Sequence, residues 1–157
     1  MRRLKIFAAL AVMAVIGAGI ATYYIKNLSG ATGTVNTLGT EGVAIRGYDP
    51  VAYFTKGAPQ EGKPEFAVDH QGATWRFASR EHKALFEADP AKYTPAYGGY
   101  CAFGLASGYK AKIEPEAFTI TDGKLYLNYN QAVRDAWRKD IPGFVEKADA
   151  NWIDLGG

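Results

Sequence analysis

Beyond residue 26 the chain carries few side chains suited to nucleophilic or metal chemistry. There is one cysteine, Cys101, two histidines, His70 and His82, and no methionine. One thiolate and two imidazoles are copper-type donors, but such a site would use every soft or borderline ligand of this part and lack a weak axial methionine. A four-coordinate zinc site needs close ligand pairs, and no Cys-x-x-Cys or His-x-x-His pair occurs, so none is expected. His70 falls at a predicted turn and His82 in the first turns of a predicted helix. Each alone reads as a surface or capping histidine, and only convergence in space would make either a ligand. No Ser-His-Asp motif, phosphate loop or nucleotide fingerprint is present, which leaves hydrolase and kinase chemistry without a basis.

Cys101 lies in "PAYGGYCAFGLASGYKA" and cannot form a disulfide within its own chain. A helix beginning near Tyr100 would place the thiol at a helix N-terminus, where unpaired backbone N–H groups stabilise a thiolate. The other reading is a small apolar side chain packed among Tyr97, Tyr100 and Phe103, since free cysteines are often buried. The residues alone leave both readings open.

The elements that must position these groups can be read from pattern. Asp49-Pro50 suits the start of a short helical turn, with Val51, Ala52, Tyr53 and Phe54 directed inward. "EFAVDHQGATWRF" predicts a hairpin, with Phe66 and Val68 on one arm, Trp75 and Phe77 on the other, and the turn over Asp69-His70-Gln71-Gly72. "SREHKALFEADP" predicts a helix capped by Ser79, with Glu81 in its first turn, an apolar stripe of Leu85, Phe86 and Ala88, and a stop at Asp89-Pro90. "AKYTPAYGGY" reads as a loop. "FTITDGKLYLNY" predicts a second hairpin whose Asp122-Gly123 turn needs two positive φ angles, with Leu125, Leu127 and Tyr129 on one face. A helix then starts at Asn130, carries Val133, Ala136 and Trp137, and ends at Pro142-Gly143. The fold class that follows is α+β: a small antiparallel sheet of hairpins with packed short helices, preceded by one N-terminal hydrophobic helix.

That leading segment is "MRRLKIFAALAVMAVIGAGIATYYIKN". Residues 6–25 are 20 residues without a charge, about 30 Å as a helix and long enough to span a bilayer. Residues 1–26 therefore read as a signal-anchor or transmembrane segment, or as a cleaved signal peptide. In both cases Arg2, Arg3 and Lys5 stay on the cytoplasmic side and the remainder crosses. Residues 27–40 are uncharged and rich in Gly, Ser, Thr and Asn, as a flexible linker would be. Residues 41–157 form the folded domain. The 157-residue chain has a formal charge of +2, but four of its 18 basic residues lie in residues 1–26 and none of its 16 acids does. The remainder is weakly acidic, with no basic run, so no nucleic-acid partner is expected.

Together, "GYDPVAYF", "ATWRFASREHKALFEADPAKYTPAYGGYCAFG" and "DGKLYLNYN…W…DIPG…KADANW" resemble the YHS-domain proteins, in particular their exported bacterial branch. The resemblance spans about residues 41–153. It implies a small domain that also occurs in copper-transporting ATPases and some multicomponent monooxygenases. It further implies a metal-binding accessory module, copper first, with Cys101 as anchoring ligand and His82 or His70 as helpers. The chain departs from the family where "DPVAYF" has Val51-Ala52 and related domains have Asp-Pro-Val-Cys. Its implied place is the bacterial inner membrane, single-pass through residues 6–25 with the domain in the periplasm, or the periplasm itself after cleavage. Two alternatives remain beside the metal reading: a thiol redox protein with Cys101 as nucleophile, and a non-catalytic, aromatic-rich binding module at the membrane surface. The expected partners are the membrane through residues 6–25 and an unidentified protein.

Overall fold

The computed structural model describes residues 33–157. The expected membrane or signal segment at 1–26 lies outside the described residues, as does the first part of the expected linker. Among the described residues, no helix is long and apolar enough to cross a membrane.

The fold is α+β, as the patterning requires. Two antiparallel hairpins, β1 (Lys63–His70) with β2 (Ala73–Phe77) and β3 (Glu114–Thr121) with β4 (Lys124–Asn128), form separate two-stranded sheets. Among the described residues six α-helices accompany them: α1 (Ala52–Thr55), α2 (Arg80–Ala88), α3 (Pro90–Tyr93), α4 (Ala102–Ala106), α5 (Gln131–Trp137) and α6 (Ile141–Asp154). The second hairpin turns at Asp122-Gly123 with φ of 50° and 72°, as expected from the Asp-Gly pair. The first turns at Gln71-Gly72, with φ of 52° and 75°. His70 is therefore not in the turn: it closes β1, paired with Ala73. A two-residue turn with both φ positive matches the strand twist, which a four-residue turn through His70 would not.

Each hairpin buries one regular face. Ala73, Trp75 and Phe77 of β2 point inward, and Trp75 and Phe77 stack against Phe86 of α2 with ring centroids 5.5 and 5.0 Å away. The buried face of α2 is His82 and Phe86, four residues apart, whereas Leu85 is 42% exposed. The expected Leu85–Ala88 stripe is thus rotated onto a face that includes a histidine. In β4 every residue from Leu125 to Asn128 is buried, because the strand is covered on both sides. Tyr129, expected on the inner face, lies just past the strand and is 40% exposed.

The helix expected to end at Pro142-Gly143 ends instead at Trp137, and Pro142-Gly143 opens α6. Proline is tolerated in a first helical turn, where its missing N–H has no intrahelical partner. Asp140 caps the new helix by accepting from the Gly143 N–H at 3.1 Å. The result is a second helix packed on α4, with Phe144 against Phe103 and Trp137 at 5.0 and 5.6 Å.

Residues 33–40 do not behave as a free tether. Val35 and Asn36 are buried. The Asn36 N–H donates to the Gly98 carbonyl and its Nδ2 to the Gly99 carbonyl, both at 2.9 Å, while the Ile45 N–H donates to the Asn36 carbonyl. Gly98 has φ +60°, and a Cβ there would collide with the Thr34 carbonyl. This close backbone approach is why the glycine pair precedes Cys101. Gly98→Ala should destabilise the domain by about 1–3 kcal/mol. Urea unfolding measures the loss, and amide exchange at Asn36 should accelerate more than at the hairpin strands.

Candidate functional site

Cys101 is the N-cap of α4, as the helix-start reading expects. Its Sγ accepts from the Gly104 N–H at 3.3 Å and lies 3.7 Å from Asn128 Oδ1. The same Oδ1 accepts from the Phe103 N–H at 3.2 Å. The residue is 2% exposed and belongs to the same apolar cluster as Tyr53, Ile113 and Leu127. Burial pushes its thiol up, and the backbone N–H groups of Gly104, Tyr129 and Phe103 oppose that shift only in part. The expected lowering at a helix start is therefore reversed: withdrawal of the sulfur from water outweighs the dipole of a helix only five residues long.

The two histidines occupy other environments. His70 ends β1 with its ring edge-on to Phe86 at 5.5 Å. His82 is buried on α2, its Nδ1 2.6 Å from Asp49 Oδ2 and its Nε2 3.1 Å from the Thr55 hydroxyl. Among the described residues, no group of three or more His, Cys, Asp or Glu side chains could hold a metal ion. Cys101, His82 and His70 are thus not brought together as the expected ligand set. Each is held by its own neighbours: a helix cap, a carboxylate and an aromatic ring. No known family, curated protein or solved structure matches the chain.

Asp49 is the polar centre that the residue patterns missed. It is fully buried, and its Oδ1 accepts from the N–H groups of Val51 and Ala52 at 2.8 and 3.2 Å. Its Oδ2 accepts from the Ala78 N–H at 2.8 Å and faces His82 Nδ1. His82 Nδ1 thus faces the carboxylate, and its Nε2 meets the Thr55 hydroxyl on the other side of the ring. The sequence Asp49–His82–Thr55 has the order of an acid–base–nucleophile relay. The same contacts tie the start of α1, the end of β2 and α2 together. The Thr55 hydroxyl also bonds the Val51 carbonyl at 3.2 Å, closing the helix turn that Asp49 opens. Asp49, His82 and Thr55 line neither the clefts beside Tyr97 and Trp152 nor the one beside Arg46. The available signal was the four-residue spacing of His82 and Phe86, which puts the ring on the buried face.

The accessible chemistry lies around aromatic rings. Tyr97 has φ +57° and is 7% exposed; its hydroxyl donates to Asp149 Oδ1 at 2.8 Å. Burial and the carboxylate both push that phenol upward. Tyr97 and Trp152 of α6, centroids 6.1 Å apart, wall two adjoining clefts of about 600 and 270 Å³. Thr94 lines both; Gln71 and Thr34 edge the larger cleft, and Lys124, Tyr126 and Asp149 the smaller. Asp149 and Trp152 belong to no chemical motif of their own, so nothing in the sequence singles them out as walls of a cleft.

Removing the carboxylate leaves the N–H groups of Val51, Ala52 and Ala78 and the His82 Nδ1 without their acceptor, so Asp49→Ala should cost about 3 kcal/mol or more. Thr55→Val should cost only about 1 kcal/mol, as for one net hydrogen bond. Chemical denaturation of both variants measures the difference, and a larger loss for Thr55→Val than for Asp49→Ala would contradict the hub assignment.

Proposed function

We propose that the folded part of this chain is a YHS-like, non-catalytic binding module, and that it takes an extended polypeptide segment of a partner along the groove at Tyr97 and Trp152. The observation that carries this reading is the pair of adjoining clefts that share Thr94, Tyr97 and Trp152. Aromatic walls with a few polar groups at the edges are the usual make-up of a ligand groove. Lys124 and Asp149 supply one charge of each sign for orientation. Tyr97 is held in the left-handed region, a local strain that clusters at ligand-contacting positions. On this reading Cys101 stabilises the start of α4 and carries no copper.

One observation favours the thiol alternative. Asn128 Nδ2 is buried and has no hydrogen-bond partner among the described residues, and its side chain lies beside the sulfur. A free donor and the converging N–H groups of Gly104, Phe103 and Tyr129 would suit a transiently anionic sulfur.

The test uses the full chain in neutral detergent. Peptides selected from a random displayed library should bind the wild type, lose at least about tenfold affinity on Trp152→Ala, as a hot-spot aromatic does, and bind Cys101→Ala unchanged. Selection that is indifferent to Trp152, or Cys101-dependent uptake of Cu(I), would overturn the reading. The alternative is checked by alkylation. On the binding-module reading Cys101 should react about 100-fold or more slowly in the native chain than after unfolding. A fast native reaction titrating below the reference pKa of ~8.5 would instead establish a nucleophilic thiol.

A further inference from the structure

A third cleft, of about 500 Å³, lies elsewhere on the domain and has a different character. It is lined by Leu38, Gly39, Arg46, Lys110, Ala111 and Lys112. Three of these six carry positive charge and none is acidic. Among the described residues, the ion pairs are His82–Asp49 and Arg134–Asp135, so none of the three cations has a carboxylate within salt-bridge distance. Beyond residue 26 the chain has two more acids than bases. A cluster of three uncompensated cations therefore runs against the domain's overall charge, and their mutual repulsion is a standing cost to the fold.

The fold holds these cations in place. Arg46 is presented on a turn in which Ile45 and Arg46 have φ of 41° and 60°, a region that β-branched and bulky residues seldom enter. The turn is over-determined from below: Ile45 is 1% exposed, and its N–H is bonded to the Asn36 carbonyl at 2.9 Å. From it the Arg46 guanidinium comes within 3.5 Å of the Ile113 carbonyl, a contact too long to occupy it fully. The Lys110 ammonium donates to the carbonyls of Gly33 and Leu155, both at 3.0 Å. It also lies over the rings of Tyr100 and Trp152 at 5.4 and 4.9 Å. An ammonium has three N–H donors, so one remains for a ligand. Lys112, beside it, rests over the Tyr129 ring at 5.0 Å and keeps its donors free. Burial lowers the Lys110 pKa, as expected for a cation that gains when an anion arrives.

We propose that Arg46, Lys110 and Lys112 form a binding site for a phosphate group, presented by a soluble phosphate ester or by an anionic phospholipid headgroup. The planar guanidinium offers paired N–H donors to phosphate oxygens, and the two ammonium groups add point charges. Gly39 lines the rim of the site at an exposed turn with φ +75°, and no atom lies within 4 Å of where its Cβ would be. Its lining shares no residue with the peptide groove, and the two meet only where Lys110 lies over the ring of Trp152.

The test again uses the full chain in neutral detergent micelles, with inorganic phosphate as the soluble probe and phosphatidylglycerol doped into the micelles as the lipid probe. Amide resonances of Gly39, Arg46 and Lys112 should shift saturably with at least one probe. Response to phosphate alone assigns a soluble source, and response only to the doped lipid assigns a headgroup; both support the site. Arg46→Gln with Lys112→Gln should weaken binding by roughly tenfold or more, as for loss of charge-assisted hydrogen bonds. Both side chains are exposed, so the thermal transition should be retained. The charge-matched control Lys139→Gln with Lys147→Gln should bind as wild type. Equal weakening in both double variants would reduce the effect to net charge and overturn the proposal, as would the absence of any response to either probe.

Discussion

A single buried carboxylate fixes the middle of this domain. Asp49 is fully buried, so its charge must be matched by donors on all sides. Those donors come from three places in the chain: the first turn of α1, Ala78 at the end of β2, and His82 in α2. One side chain thus sets where a helix begins, where a strand stops and which way the next helix faces. The packing of Trp75 and Phe77 on Phe86 depends on that setting, because His82 and Phe86 share a helix face. Hydrophobic burial supplies most of the driving force, but it is non-directional. The carboxylate contributes the direction.

The second half is organised differently. Cys101 caps α4 through its sulfur and bonds through its N–H to the Ala111 carbonyl at 3.1 Å. It also bridges to Leu127 of β4. Polar contact is thereby carried from the glycine pair through a helix start to a central strand. Cysteine fits because it is small, apolar enough for the core and still able to accept a weak hydrogen bond. Serine would offer the same cap geometry but bring a more strongly hydrated hydroxyl into an apolar cluster.

Much of the fold was legible in local chemistry. Asp122-Gly123 demanded a tight hairpin, Ser79 and Asn130 capped the helices they precede, and Asp89-Pro90 ended α2. Pattern failed where a residue reads two ways locally or where its role is set by partners distant in sequence. Pro142-Gly143 reads equally as the end of one helix or the start of another, and Asp140 decides it. His82 looks solvent-facing until Asp49, 33 residues away, turns it inward. Residues 33–40 have the composition of a linker, yet Asn36 finds its partners more than 60 residues later. The groove and the basic cleft were invisible because their walls are drawn from segments far apart in the chain. Spacing reports nearest neighbours along the chain, and the contacts of His82 and Asn36 lie far beyond it.

Gly33 is the point at which the described domain meets the preceding chain. Its carbonyl accepts from the Tyr100 hydroxyl at 3.1 Å and from Lys110 Nζ at 3.0 Å, and Asn36 is clamped to the glycine pair three residues later. Tension applied through residue 33 would therefore load several short bonds together rather than peel them one at a time. Bonds that share a load fail at higher force than bonds broken in succession. One of these anchors, Lys110, also grips the Leu155 carbonyl, so strain at the front of the domain passes directly to the end of α6 without crossing either hairpin.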